Sequence, residues 1–151
     1  MFKLPKKMLF AIEAGIDIAY NAGGMPVQNN EITQRQGIPK RYLEQVLQKL
    51  VRSELLISIR GPGGGYKLAR ERRRITLGDI CRVVKSPNLE KYQTKAGTGS
   101  QIDQKIIEPL WEELQTDLMK KLDTITIEDI CMKSREQNIE SKIEDNIDFS
   151  I

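Results

Sequence analysis

Three features of the sequence predict a mainly α fold of α+β type. Apolar residues recur at helical spacing through residues 5–22 and again through 40–52. A short polar segment, "NNEITQRQG", precedes the second of these and is separated from it by a tight turn at Gly37-Ile38-Pro39. Directly after them, two short alternating segments flank the run "GPGGG", which holds four of the chain's 11 glycines.

The first helix, "PKKMLFAIEAGIDIAYNA", places Leu9, Ile12, Ile16 and Ala19 on one stripe, and Gly23-Gly24 closes it. "NNEITQRQG" reads as a short second helix, with Asn29 or Asn30 as N-cap and Gly37 as its stop. The third, "PKRYLEQVLQKLVRSE", puts Leu43, Val46, Leu47 and Leu50 on one face and Lys40, Arg41, Glu44, Gln45 and Lys49 away from it. Pro39 suits the first turn, where a missing N–H costs nothing. Two helices joined this way form a helix-turn-helix, although any three-helix bundle shares the periodicity. The next segment decides between them. "LLISIR" alternates Ile57 and Ile59 against Ser58 and Arg60, and "YKLA" repeats the alternation, giving a hairpin. Helix, helix-turn-helix and hairpin in that order describe a winged helix-turn-helix over residues 1–85.

Glycines beside Arg and Lys also raise the question of a nucleotide loop. A Walker loop needs Gly-x-x-x-x-Gly-Lys-Ser/Thr between strand and helix. Counting from Gly61, the sixth position is Tyr66, and a strand follows. The reading fails on both counts. A narrow glycine tip stiffened by Pro62, with Arg60 at its base, suits insertion into a DNA minor groove. Three consecutive glycines are more than a hairpin turn alone is expected to require.

"RERRRITLGDICRVVK" continues the basic run, then starts a helix with Thr76 as N-cap. Arg70, Arg72, Arg73 and Arg74 read as solvated or weakly contacting DNA backbone. Residues 86–103 read as a polar connector. A long helix over about 104–123 carries Ile106, Ile107, Leu110, Trp111, Leu114, Leu118 and Leu122 as a broad apolar stripe. Such a face must be buried, and pairing with a second copy is the favoured way, giving a dimerisation unit over 104–132. "ITLGDIC" (75–81) recurs as "ITIEDIC" (125–131), which reads as two similarly capped helix starts. The charged segment 133–151 reads as a disordered tail.

Composition narrows the function classes. Residues 1–85 carry 16 Lys/Arg against 7 Asp/Glu, whereas residues 86–151 carry 8 against 14. The first part therefore has the charge balance of a polyanion binder. The chain has no histidine, which removes His-based catalytic triads and proton shuttles; an enzyme is the least supported class. Only Cys81 and Cys131 are present, so a disulfide framework is not expected. No run approaches the ~18–20 apolar residues of a membrane span. "MFKLPKKMLF" lacks the apolar stretch and cleavage site of a signal peptide, so the expected location is the cytoplasm.

The string "RQGIPKRYLEQVLQKLVRSELLISIRGPGGGYKLAR", followed by "ITLGDICRVV", resembles the bacterial winged-helix regulator family that includes the iron–sulfur cluster regulator (IscR), the nitric-oxide-sensing repressor (NsrR) and the cysteine-metabolism repressor (CymR). The resemblance covers 1–85 closely and runs more loosely to "LDTITIEDI". It implies a homodimeric repressor whose long C-terminal helices cross, reading a pseudo-palindromic operator. It assigns the recognition-helix readers as Tyr42, Glu44 and Gln45, and the wing readers as Arg60, Gly61, Pro62, Gly63, Gly64, Gly65 and Tyr66. The chemistry agrees: Gln pairs with adenine, and Glu accepts from cytosine N4. Arg35, Lys40, Arg41 and Lys49 suit phosphates.

Two departures stand out. Met8-Leu9-Phe10 replaces a Gly-Arg-Tyr common in the family, leaving Lys6 and Lys7 as the nearby cations. The connector also lacks the three cysteines of cluster-binding members, and an iron–sulfur cluster usually takes four ligands, mainly thiolates. The resemblance therefore brings no cofactor and no metal site here. The expected dimer interface is Ile106, Leu110, Trp111, Leu114, Leu118 and Leu122. A small-molecule effector or partner protein would supply any signal. The alternatives are an architectural module that keeps the fold, and a redox regulator using Cys81 and Cys131.

Overall fold

The computed structural model describes residues 3–84 and 97–142. Residues 86–96 of the expected connector and residues 143–151 of the expected tail lie outside them. In chain order the elements are α1 (Lys6–Asn21), α2 (Asn29–Gln36), α3 (Lys40–Arg52), β1 (Leu56–Ile59), β2 (Gly65–Leu68), α4 (Leu77–Val84), α5 (Glu108–Leu122) and α6 (Ile127–Glu136). A 3-10 turn, Arg72–Arg74, precedes α4, and a π-helical turn, Asp103–Ile107, leads into α5. The helix containing that turn begins at residue 101, a few positions before the expected start. Ser100 brings this about, its Oγ accepting from the Asp103 N–H at 3.1 Å.

α1 is the central element, packing on α2, α3, α4, α6 and β2. Its buried residues are Ala11, Ala14, Gly15, Asp17, Ile18, Ala19, Tyr20 and Asn21. The expected stripe is thus displaced: Ile12 and Ile16 lie at the margin, and Leu9 is exposed. A helix surrounded on several sides needs small residues where its neighbours approach. Gly15 shows this, because a Cβ there would lie 3.2 Å from the Ile80 side chain.

α3 buries Leu43, Val46, Leu47 and Leu50 as its spacing predicts. Gly37 ends α2 in the left-handed region at φ 69°. The start of α2 differs from expectation. Gln28 is the N-cap, and its N–H donates to the Glu31 carboxylate at 2.9 Å.

β1 and β2 form an antiparallel hairpin pairing Leu56 with Leu68, Ile57 with Lys67, Ser58 with Tyr66 and Ile59 with Gly65. The core-facing side carries Leu56, Tyr66 and Leu68, so Ile57 and Ile59 face outward and are exposed. The apolar alternation in the sequence marked the outer face, whereas Leu55 and Leu56 supply the buried anchor.

The echo between "ITLGDIC" and "ITIEDIC" is a paired structural unit. Leu77 N–H donates to the Ile125 carbonyl at 2.8 Å, and Ile127 N–H donates to the Ile75 carbonyl at 2.9 Å. Each half then caps its own helix identically. Asp79 N–H donates to Thr76 Oγ1 at 3.1 Å, and Asp129 N–H donates to Thr126 Oγ1 at 3.1 Å. The aspartates accept in return from the threonine N–H groups, at 3.0 and 2.9 Å. Ile75, Ile127, Cys81 and Cys131 from the two halves are all buried. Arg82 on α4 grips Asp123 at the end of α5 with its two terminal guanidinium nitrogens, Nη1 and Nη2, fixing α5 to the body.

Residues 133–142 correct the expected disorder of the tail. α6 runs to Glu136, and Asn138 turns the chain in the left-handed region at φ 58°. The following residues then bond to α1 and α2.

Candidate nucleic-acid interface

Burying Leu43, Val46, Leu47 and Leu50 turns the opposite face of α3 outward. Lys40, Arg41, Tyr42, Glu44 and Gln45 are exposed there, and Lys49 is half-buried at the edge. Gln48 is also exposed, and it lies one turn from both Glu44 and Gln45. The i, i+3 and i+4 spacing is the signal that could have added it to the predicted set. Tyr42 keeps 43% of its surface exposed, and its ring centroid lies 6.0 Å from that of Phe10. Phe10 from α1 thus supports the side chain at the start of α3. Lys6 and Lys7 are exposed in the first turn of α1.

The wing tip is built by its own backbone. Gly61 and Gly63 adopt positive φ, at 94° and 75°. A Cβ on Gly64 would lie 2.2 Å from the Ile59 carbonyl oxygen, and one on Gly65 would lie 2.4 Å from that of Val27. The glycine run is therefore required by the turn and its seating, contrary to the expectation that three glycines exceed a turn's needs. Tyr66 exchanges backbone hydrogen bonds with Val27 at 2.8 and 2.9 Å, and its side chain packs on the core. Gly64 is buried, and Gly65 and Tyr66 are half-buried. Those three expected readers serve the wing's internal structure. Arg60, Gly61, Pro62 and Gly63 are exposed and form the outward tip.

Arg35 is a further correction. Its Nε and Nη2 donate to the two carboxylate oxygens of Asp17, both at 2.8 Å, and Gln36 Nε2 adds a third bond at 2.9 Å. The Asp17 side chain is wholly buried, while that of Arg35 is 28% exposed. Arg35 thus neutralises a buried carboxylate and locks α2 onto α1, rather than standing open to a phosphate. Among the described residues, Lys6, Lys7, Lys40, Arg41, Lys49 and Arg60 form no ion pair. Their charge faces solvent uncompensated. In the Arg-rich segment after the wing, Arg72 pairs with Glu128 at 3.3 Å and Arg73 with Glu71 at 2.9 Å.

These features make an outward polar helix, a narrow basic hairpin tip and unpaired cations around them. The Rrf2 family profile, described as "Iron-dependent Transcriptional regulator", matches residues 4–133. This chain belongs to the Rrf2 family. The HTH-type transcriptional regulator IscR of Sodalis glossinidius is 36% identical over 129 residues, covering 85% of this chain and 78% of that protein. IscR of Escherichia coli is 35% identical over 126 residues, covering 83% and 77%. Among solved structures, T. potens IscR superposes with TM-score 0.74 at 32% identity, covering 92% of this chain and 93% of that one. CymR, the global cysteine regulator of B. subtilis, gives 0.69 at 29%, covering 88% and 98%. The chain is a winged helix-turn-helix transcriptional regulator of this Rrf2 type, a DNA-binding class.

The iron in the family's description does not fit this chain's residues. Cys81 and Cys131 are both buried, one on α4 and one on α6. Burial pushes both thiols above their ordinary range; Arg72 beside Cys131 counters this only in part. There is no histidine in the chain. Among the described residues no group of three or more His, Cys, Asp or Glu could hold a metal ion, and residues 85–96 contain neither Cys nor His. Among the described residues no helix is long and apolar enough to cross a membrane.

Proposed function

We propose that this Rrf2 regulator is a sequence-specific repressor that binds a pseudo-palindromic operator as a homodimer and does so without an iron–sulfur cluster. The observation that carries the reading is the outward face of α3, polar and free of ion pairs among its cations, beside a wing tip that presents Arg60. Tyr42, Glu44, Gln45 and Gln48 reach base edges in the major groove, Gln suiting adenine and Glu suiting cytosine N4. Arg60 enters the minor groove with Gly61, Pro62 and Gly63. Lys6, Lys7, Lys40, Arg41 and Lys49 hold phosphates and set the docking register.

The dimer is supported by α5, which buries no residue. Ile106, Leu110, Trp111, Leu114 and Leu118 are 42–59% exposed, and Leu122 is half-buried at the helix end. A helix that exposes such a face calls for a partner, and a second copy doubles the DNA contacts symmetrically. The place of action is the bacterial cytoplasm, in keeping with relatives that are bacterial transcriptional regulators.

The test is selection from a random-sequence duplex pool followed by footprinting under excess random DNA. The expected result is a twofold site with half-sites about one helical turn, or a multiple of it, apart. Arg60→Ala weakens binding to the selected duplex by about 1–3 kcal/mol and leaves the dimer intact. A chain that enriches no sequence, and is displaced by random DNA, is an architectural binder and overturns the proposal.

A further inference from the structure

We infer that residues 138–142 form a C-terminal strap that positions the helix-turn-helix and the wing for specific DNA reading. The inference rests on the DNA-reading role proposed above. The strap lies beyond the residues matched by the family profile, 4–133.

Asn138, in the left-handed region, ends α6, and the Ile139 N–H donates back to the Ser134 carbonyl at 3.0 Å. The chain is thereby directed across the end of α1. Tyr20 Oη donates to the Ile139 carbonyl at 2.5 Å. Ser141 Oγ donates to the Tyr20 carbonyl at 2.7 Å, and Ser141 is only 4% exposed. Lys142 N–H donates to Asn21 Oδ1 at 3.0 Å, and Asn21 Nδ2 donates to the Asp17 carbonyl at 2.9 Å. Together these bonds satisfy backbone and side-chain groups at the last turn of α1, which a helix end otherwise leaves open.

Lys142 then reaches α2. Its Nζ lies 2.6 Å from Glu31 Oε1, and Glu31 is the residue that caps α2 through Gln28 N–H. Glu31 also lies 3.9 Å from Arg35, which grips buried Asp17. A continuous chain of charged and hydrogen-bonded groups therefore runs from Lys142 through Glu31 and Arg35 to Asp17. The strap clasps the chain on both sides of the loop joining α1 to α2. Near the end of that loop, next to the N-cap of α2, Val27 is bonded to Tyr66 of the wing. One short segment thus bears on the first helix of the helix-turn-helix directly and on the wing through Val27.

Displacing the strap leaves the Arg35–Asp17 lock in place but removes the bonds at the end of α1 and at Glu31, so α2 and the wing are held less tightly in register. Orientation matters for base-edge contacts and much less for phosphate contacts. Loss of the strap therefore lowers affinity for a selected operator more than affinity for random duplex.

The experiment compares the full-length chain, a chain ending at Gln137, and full-length Lys142→Glu and Lys142→Arg. The probes are a duplex that the full-length chain selects from a random pool and a random duplex of equal length. The expected result for the shortened chain is about tenfold weaker binding to the selected duplex, a smaller change on random duplex, and unchanged sedimentation. Amide exchange is expected to quicken in α2 while that of α5 stays the same. Lys142→Glu, which faces Glu31 with a like charge, reproduces part of the loss, and Lys142→Arg restores full-length behaviour. Equal affinity of the shortened and full-length chains for the selected duplex overturns the strap's role, as does an equal loss on both duplexes. Failure of the DNA-reading role is seen separately, as a full-length chain that selects no duplex at all.

Discussion

Arg35 and Asp17 show how a residue's role changes between sequence and structure. An arginine within a helix-turn-helix is an obvious phosphate contact, yet its Nε–Nη2 edge is taken by a carboxylate whose side chain has no exposed surface, and Nη1 lies 3.9 Å from Glu31. Removing one partner leaves a buried charge uncompensated, which is costlier than losing a surface pair. Arg35→Met is expected to destabilise the protein by about 3 kcal/mol in chemical denaturation without DNA. A variant of wild-type stability would return Arg35 to the DNA surface. Gly64 and Gly65 teach the same lesson in the wing: their missing side chains make room for the carbonyls of Ile59 and Val27. Tyr42 keeps its outward role, with Phe10 against it.

At the scale of elements, α5 stands apart. α3 buries four large apolar residues and α4 buries Leu77, Ile80, Cys81 and Val84, whereas α5 buries none. It meets the body chiefly at α4, held by the Arg82 grip on Asp123. Replacing Leu114 and Leu118 with glutamate is expected to give monomers in sedimentation, with the far-ultraviolet signature of the body retained. Persistence of dimers would place the interface elsewhere. The strap adds a pH dependence at this scale. Burial pushes the Glu31 carboxyl up, but Lys142, the Gln28 N–H and Arg35 together outweigh it and hold it below its ordinary value. A lowered folded-state value means that the contribution is present above the ordinary carboxylate range and lost as pH falls through the lowered value. The clasp on α2 therefore loosens in acid and is intact at neutral pH.

For the whole molecule, charge and cysteine placement set the behaviour. The basic excess lies in residues 1–85, with the helix-turn-helix and wing, and the acidic excess lies in the remainder. The two cysteines are absorbed by the paired 75–81 and 125–131 unit, where their thiols are buried and pushed upward. Anaerobically purified protein is accordingly expected to be colourless, without stoichiometric iron or sulfide, and still able to bind its selected duplex. A brown protein with stoichiometric iron would overturn the cluster-free reading, and Cys81 and Cys131 would be the first residues to replace.

The order of elements was legible because each has a local cause. Helical spacing marked the core face of α3, Gly37 marked the end of α2, and Thr76 marked the start of α4. The outward polar face of α3 followed directly, since a helix with one apolar stripe must present the other side. Phase in α1, the outer face of the hairpin, the pairing of Arg35 with Asp17 and the strap were decided by tertiary structure. Each depends on which distant segment comes to lie against a residue. Small residues are buried in α1 because several elements converge there. A carboxylate pairs with an arginine 18 positions away because two helices cross. Residues 138–142 are held in place because α1 and α2 leave donors and acceptors where they pass. Local spacing carries the periodicity of a helix, but the partners of its polar groups exist only once the chain has closed on itself.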